Sequence, residues 1–255
     1  MIANEVRLFL IALQFLTRIR IKQIDPFPED WLPRSAKYMP LVGVLIGAVV
    51  GAILLAASLC FPSPMPVVIA LIASILLTGA LHEDGLADTV DAFGGGSSRE
   101  RCLEIMKDSS IGTYGVLALI AVLALKGTSL VAIGPVSVVG VVIAAYTGGR
   151  LAAVLALTFL PYAGGDDVKV SRTPVRMTPR ELAIAAATGL IVGICVINIA
   201  AFVAATVVAF IAAAAVAWIA QRKIGGYTGD VLGAVEQVFE TAFLAVAAAL
   251  IAGAG

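Results

Sequence analysis

The longest uncharged stretch of this chain decides which folds are open to it. Residues 182–220 form 39 consecutive positions without Asp, Glu, Lys or Arg. At about 1.5 Å per residue, a helix of that length would reach about 58 Å, whereas the hydrocarbon core of a bilayer is about 30 Å thick. The stretch therefore predicts two membrane spans that turn near Asn198.

Apolar stretches of spanning length recur along the whole chain. Hydrophobic residues make up 60% of the sequence and charged residues only 13%, and the mean hydropathy is +1.03. These values are far from those of a soluble domain, so they predict an all-α, polytopic transmembrane bundle in contact with membrane lipid, organised as one domain over residues 1–255. The seven predicted spans cover residues 39–60, 64–81, 113–131, 136–160, 182–199, 200–220 and 236–253.

The amino-terminal part of the chain is predicted to lie at the membrane surface. Its apolar run from Leu8 to Leu16 is interrupted by Gln14 and is followed by several basic residues. It also lacks the small-residue motif of a cleaved signal peptide. We therefore expect an interfacial or tilted helix rather than a full span.

Lys and Arg residues are distributed unevenly over the connecting segments. All of them except Lys126 and Arg150 fall in one alternating set of segments, which comprises residues 1–38, 82–112, 161–181 and 221–235. By the positive-inside bias this set faces the cytoplasm, and seven spans then place the carboxyl terminus outside. Because the net charge is zero and no basic run occurs, no nucleic-acid partner is predicted.

The stretch HEDGLADTVDAFGGG, residues 82–96, places several carboxylates directly after an apolar segment. On a helix with about 100° per residue, Asp84, Asp88 and Asp91 fall within about 60° of one another. Like charges this close destabilise a helix unless a cation compensates them, and hard oxygen ligands suit Mg²⁺, so the stripe predicts a magnesium site. In the alternative interpretation these acids cap the helix start, and His82 alone is more often structural than catalytic.

A second charged segment, SSRERCLEIMKDSSIGTYG, covers residues 97–115. Glu104 and Asp108 lie four residues apart with Lys107 between them, which is an arrangement that can hold a cation and a phosphate together. The alternative, which the segment alone favours, is an exposed amphipathic helix whose acids face water.

A third segment, GGYTGDVLGAVEQVFE, covers residues 225–240 and runs from a glycine-rich turn into the last span. It offers Thr228 and Asp230 near its start, followed by Glu236 and Glu240 one helical turn apart. Ionisable residues at membrane depth are costly unless they bind something, so this pair predicts a functional site.

Five segments of the chain together carry a family resemblance. They are LQFLTRIRI, MPLVGVLIGAVVG, HEDGLADTVDAFGGG, EIMKDSSIGTYGVLAL and GGYTGDVLGAVEQVFE, in this order. In these segments the chain closely resembles the cobalamin synthase family, that is, the adenosylcobinamide-GDP ribazoletransferases. The resemblance extends from about residue 8 to about residue 240.

The resemblance implies a multi-pass enzyme of the bacterial or archaeal inner membrane with its active site facing the cytoplasm. Members of the family transfer the adenosylcobinamide-phosphate moiety of adenosylcobinamide-GDP to α-ribazole, or to α-ribazole 5′-phosphate, and release GMP. The reaction belongs to the last steps of vitamin B12 nucleotide-loop assembly and requires Mg²⁺. Whether the chain forms a homo-oligomer is left open.

The family motif maps onto His82, Asp84, Asp88 and Asp91 in this sequence. The resemblance implies that these four residues are catalytic and that the three aspartates hold Mg²⁺, while the proton acceptor is undecided between Asp91 and His82. Ala92 stands where the family usually has glycine. Since the carboxylates are intact, we expect this difference to alter the loop and not the chemistry.

The implied active site combines residues 82–112, 150–172 and 225–240. Lys107 and Arg150 are candidate phosphate clamps, although Arg150 can also simply extend into the interface. Thr228 and Asp230 are candidates for orienting the ribazole or a second cation. The full set of predicted substrate-binding residues is Glu104, Lys107, Asp108, Arg150, Thr228, Asp230, Glu236 and Glu240.

Two other classes of protein remain as alternatives. A CDP-alcohol phosphatidyltransferase also places aspartates around an Asp-Gly pair at a membrane face, but Asp88 stands where that family has arginine. A cation-coupled transporter would carry its acids near the middle of spans and often has repeated halves. Here the acids cluster at the cytoplasmic ends of the predicted spans.

Overall fold

The computed structural model describes residues 2–21, 31–164, 177–196 and 199–252. Within these residues the chain folds into eleven helices without a β-strand, which confirms the predicted all-α bundle. The helices are α1 Ile2–Leu16, α2 Trp31–Ala36, α3 Met39–Ser58, α4 Met65–Thr78, α5 Leu81–Gly95, α6 Arg99–Lys107, α7 Thr113–Ile133, α8 Pro135–Phe159, α9 Pro179–Val196, α10 Ile199–Ile224 and α11 Gly229–Ala252.

Five of these helices, namely α3, α7, α8, α10 and α11, are long and apolar enough to cross a membrane. The helices α4 and α5 reach that length only as a pair, and the chain bends by 88° between them, so the described residues hold up to six candidate spans. The predicted number of seven is not confirmed. The span predicted at 182–199 includes residues 197–198, which lie outside the described residues.

The outer faces of the bundle are apolar. Large side chains such as Leu76, Ile120 and Ile211 are 69%, 60% and 64% exposed. A soluble protein rarely leaves a continuous surface of this kind uncovered, whereas helices in a bilayer present it to lipid. The chain is therefore a multi-pass membrane protein.

Helices α3 and α8 form a close contact of the bundle through small residues. A Cβ atom added at Gly43 would lie 2.6 Å from the backbone oxygen of Tyr146, and one at Gly47 would lie 2.7 Å from the Cα atom of Ile143. Such distances allow no side chain, so glycine at every fourth position lets the two backbones touch. This contact fixes the position of the helix that carries Arg150.

The turn between α4 and α5 redirects the chain across the end of the bundle. Gly79 has φ +69° and Ala80 has φ +60°, both in the left-handed region. Arg18 lies against this turn, because its backbone amide donates to the carbonyl of Leu77 at 2.8 Å. The span predicted over residues 64–81 therefore ends earlier than expected, because α4 stops at Thr78. The acidic helix α5 then continues at 88° to α4.

Candidate active site

A cavity of about 340 Å³ lies where the acidic helix α5 meets the start of α11. Its apolar lining includes Leu16 of α1, Met39 of α3 and Leu157 of α8. Its polar lining comprises His82, Asp84, Arg150, Asp230 and Glu236. Residues from all three sequence segments predicted to build the active site therefore meet in one space.

Two glycines bring the carboxylates of α5 and α11 together. A Cβ atom on Gly85 would lie 2.8 Å from the backbone oxygen of Asp230, and one on Gly233 would lie 3.1 Å from that of His82. The two helices thus cross in backbone contact, which places Asp84 and Asp230 on the same cavity wall. Asp88 follows one turn after Asp84 and experiences the negative charge of both.

A chain of buried ionisable side chains runs from the cavity into the bundle. His82 Nε2 lies 2.9 Å from Glu236 Oε2, and the other oxygen of Glu236 lies 2.8 Å from an Arg150 Nη atom. Arg150 also pairs with Glu240, whose second oxygen lies 2.6 Å from Lys126 Nζ. All five residues are at most 4% exposed. Each charge is compensated by a neighbour, as a low-dielectric interior requires.

At the inner end of this row of buried ionisable side chains, neutral groups complete the contacts. Lys126 Nζ donates to Gln237 Oε1 at 2.7 Å, and the Arg150 guanidinium lies over the ring of Tyr146 with 4.9 Å to its centroid. In contrast, Arg150 Nε is buried without a hydrogen-bond partner. Arg150 as a whole lines the cavity, so its guanidinium brings a positive charge close to any ligand that binds there.

Asp91 has partners other than its two stripe neighbours. Its carboxylate accepts hydrogen bonds from the backbone amides of Gly112 at 2.7 Å and Gly115 at 2.9 Å, at the start of α7. Asp91 is 8% exposed and does not line the cavity. Both of its oxygens are therefore engaged in anchoring α7, and its predicted roles as metal ligand and base find no support in this arrangement.

The segment around α6 is not brought to the cavity. Glu104 pairs with Arg101 at 3.0 Å, and both side chains are at least 60% exposed. Lys107 and Asp108 are exposed, and Asp108 Oδ1 accepts from the amide of Ser110 at 3.0 Å. This hydrogen bond lowers the pKa of Asp108. Of the two interpretations of this segment, the exposed amphipathic helix describes its geometry.

Thr228 acts on the backbone at the start of α11. Its Oγ1 accepts from the amide of Val231 at 3.3 Å and lies 3.3 Å from Asp230 Oδ2. Thr228 thus caps the helix that carries Asp230 and orients that carboxylate. Of the predicted segment 150–172, residues 165–172 lie outside the described residues.

Two tyrosines close the cavity on the side of the connecting segments. Tyr162 follows α8 and Tyr227 precedes α11, and both line the cavity. Burial raises the pKa of each phenol above its ordinary value, with a further contribution from Asp230 at Tyr162 and from Tyr162 at Tyr227. Sequence reasoning missed this pair and also Lys126, because single residues in a loop or within a span carry no spacing signal.

The carboxylates of the cavity suit an open metal site better than a closed one. In the part of the chain that the structure describes, no three His, Cys, Asp or Glu side chains form a metal-binding cluster. Mg²⁺ needs fewer protein ligands, since it commonly binds one or two carboxylates together with water and substrate phosphates. Asp84 and Asp230 line the cavity and supply such a pair of hard oxygen donors, and Asp88 lies close enough to interact electrostatically with both, so the residues present fit an open Mg²⁺ site.

A bundle of apolar helices that encloses a cavity with carboxylates and an arginine in its lining defines a multi-pass membrane protein with buried ionisable groups at one end. Comparison with known proteins specifies it further. The chain belongs to the cobalamin-5-phosphate synthase family, whose model matches residues 8–248. The resemblance identified from the five sequence segments is thereby confirmed.

Named relatives cover almost the whole chain. A Leptothrix cholodnii protein named adenosylcobinamide-GDP ribazoletransferase is 40% identical over 248 residues, which is 94% of each chain. A Shewanella frigidimarina protein of the same name is 36% identical over 242 residues, or 93% of this chain and 92% of that one. No solved structure matches the sequence. The chain is thus a transferase of the membrane, and the transporter and phosphatidyltransferase alternatives are set aside.

Proposed function

We propose that this protein is an adenosylcobinamide-GDP ribazoletransferase. It transfers the adenosylcobinamide-phosphate moiety of adenosylcobinamide-GDP to α-ribazole, or to α-ribazole 5′-phosphate, and releases GMP. The names of the relatives and the family match support this activity. The structural observation that carries it is the convergence of Asp84, Asp230 and Arg150 on one cavity, because a diphosphate needs both cation-binding oxygens and a positive group.

The proposal assigns metal binding to Asp84, Asp88 and Asp230. A bound Mg²⁺ would neutralise charge on the diphosphate and on the leaving phosphate of GMP. Asp230 replaces Asp91 in the predicted ligand set, because both oxygens of Asp91 already accept hydrogen bonds from backbone amides. Arg150 contributes the positive charge of its guanidinium next to the phosphates, while Glu236 and Glu240 hold that guanidinium in place.

His82 is the proton acceptor in this proposal. Its Nε2 is held by Glu236, so the ring has a fixed orientation on the cavity wall and Nδ1 remains for the ribazole hydroxyl. The arrangement follows the general pattern of a base oriented by a carboxylate. The hydroxyl oxygen forms its new bond to the phosphorus next to the cobinamide side, and the bond from that phosphorus to the oxygen of GMP breaks.

The position of the cavity also supports a cytoplasmic active site. It lies at the end of the bundle where the basic segments gather, and the positive-inside bias assigns that end to the cytoplasm. A volume of about 340 Å³ is in the range of small-molecule sites and accommodates a diphosphate with part of a nucleoside. The membrane is the bacterial or archaeal inner membrane in this proposal.

The test is GMP release by the purified protein in detergent, supplied with adenosylcobinamide-GDP, α-ribazole and Mg²⁺. Asp84→Asn and Asp230→Asn are expected to abolish turnover without loss of folded protein, whereas Glu100→Gln on the exposed face of α6 retains it. EDTA is expected to stop the reaction and added Mg²⁺ to restore it. Release of CMP from CDP-diacylglycerol in place of GMP, or normal turnover in both Asp variants, contradicts the proposal.

A further inference from the structure

The tyrosine pair at the cavity differs chemically from the rest of the polar lining. The ring centroids of Tyr162 and Tyr227 are 5.5 Å apart with 66° between the ring planes. In such an edge-to-face pair only one ring face is covered by the partner, so aromatic surface remains available to the cavity that both residues line. This surface lies beside the carboxylate of Asp230, which also acts electrostatically on Tyr162.

The backbone holds the two rings in register. The two connecting segments pair through a single parallel bridge, in which Ala163 N donates to Tyr227 O at 2.8 Å and Tyr227 N donates to Pro161 O at 2.9 Å. Gly226 permits this approach, since a Cβ atom there would lie 1.9 Å from Pro161 O. The pair is therefore a built part of the site and not an accidental contact between two loops.

Arg99 fastens the same two segments from outside the cavity. Its Nε donates to Ile224 O at 2.9 Å and one Nη donates to Ala163 O at 3.1 Å, so a single guanidinium bridges the backbones next to both tyrosines. Arg99 lies on α6, which contributes no side chain to the cavity lining. It acts on the site only through the positions of Tyr162 and Tyr227.

We propose that Tyr162 and Tyr227 form the stacking platform for the flat heterocycle of a nucleoside substrate, and that Arg99 is a positioning residue for this platform. The inference rests on the proposed function, which brings two such rings close to the reacting phosphates: the guanine of the GDP moiety and the benzimidazole of α-ribazole. Aromatic side chains next to a phosphate-binding site suit a ligand that carries a ring beside its phosphate. The phenols are neutral at physiological pH, so they offer ring surface without charge.

The experiment measures equilibrium binding of GMP and of α-ribazole, each alone, to the full-length protein in detergent. Loss of one stacked base weakens binding by about 5- to 150-fold. Tyr227→Leu and Tyr162→Leu, which keep apolar bulk, are expected to weaken one of the two ligands to this degree. Tyr227→Phe and Tyr162→Phe, which keep the ring, retain wild-type affinity. Phe159→Leu, which removes an aromatic ring that is 71% exposed, is the control and leaves both affinities unchanged.

The ligand whose affinity falls identifies which ring is stacked. Arg99→Met is expected to raise KM for the substrate that carries the same ring while changing kcat less, and Arg99→Lys is expected to recover part of the effect. If both Leu variants bind GMP and α-ribazole as the wild type does, or if the Phe variants lose as much affinity as the Leu variants, stacking is refuted. The proposed function survives that result, whereas a wild type that binds neither compound and forms no product refutes both proposals.

Discussion

Replacing Gly85 with alanine is expected to separate the two helices that carry the cavity carboxylates. The new Cβ atom would lie 2.8 Å from the backbone oxygen and 2.9 Å from the Cα atom of Asp230. Ordinary contacts of a Cβ atom begin at 3.4 Å, so α5 and α11 must move apart by about 0.6 Å (3.4 − 2.8). Backbone atoms cannot rotate away as a flexible side chain can, so the helices themselves have to shift.

The effect on stability and the effect on activity differ in size. Overpacking costs about 1–3 kcal/mol, but alanine gains about 1 kcal/mol of helix propensity over glycine, so we expect a net loss of about 0–2 kcal/mol. Under the proposed function, activity depends directly on the spacing of Asp84 and Asp230. A displacement near 1 Å in a reaction site can cost about 100-fold in rate, and we expect a loss of that order.

The assay compares GMP release and the melting temperature in detergent for Gly85→Ala and Gly127→Ala. Gly127 is also inside a helix, but its added Cβ would meet only Leu71 Cδ1 at an ordinary 3.7 Å. Gly127→Ala should therefore keep full activity with equal or higher stability. Full activity in Gly85→Ala would show that close contact of α5 with α11 does not position the carboxylates, and the reasoning from the glycine contacts would then be refuted.

Two further substitutions test the roles of buried charges away from the reacting groups. Asp91→Asn is expected to lower the free energy of unfolding by about 2 kcal/mol, because the hydrogen bonds that Asp91 accepts from the amides of Gly112 and Gly115 lose their charge. The Mg²⁺ concentration for half-maximal turnover is expected to stay the same, and a large rise in it would restore Asp91 as a ligand. Lys126→Met is expected to lower the free energy of unfolding by about 3–5 kcal/mol, because Glu240 loses one of its cationic partners. Adding Glu240→Gln to this variant should recover part of the melting temperature, whereas strictly additive losses of stability in the double variant would contradict the pairing.

Periodicity predicted the parts of the fold that local sequence determines. Glycines four residues apart, such as Gly43 and Gly47, are typical of close helix packing, and the structure shows their backbones touching α8. The acidic stripe indicated a polar site at the start of α5, and Asp84 does line the cavity. The number of spans could not be predicted in the same way, because hydropathy cannot show that α4 ends in a left-handed turn at Gly79.

Long-range partners explain what the sequence could not predict about the site. The backbone that approaches Gly85 belongs to Asp230, in a helix far along the chain. Asp91 shares a stripe with Asp84, but the backbone amides that donate hydrogen bonds to it lie 21 and 24 residues away in the sequence. Lys126 has no acidic neighbour in sequence, so nothing local indicated that it pairs with Glu240.

The order of the buried charges along the chain has a consequence for biosynthesis. Lys126 on α7 and Arg150 on α8 are made well before the glutamates of α11 that neutralise them. Until the last helix is inserted, two cations have no anionic partner at membrane depth, where an uncompensated charge is costly. The last helix therefore completes the charge balance of the bundle as well as the cavity, and a chain that ends before α11 is expected to be unstable in the membrane.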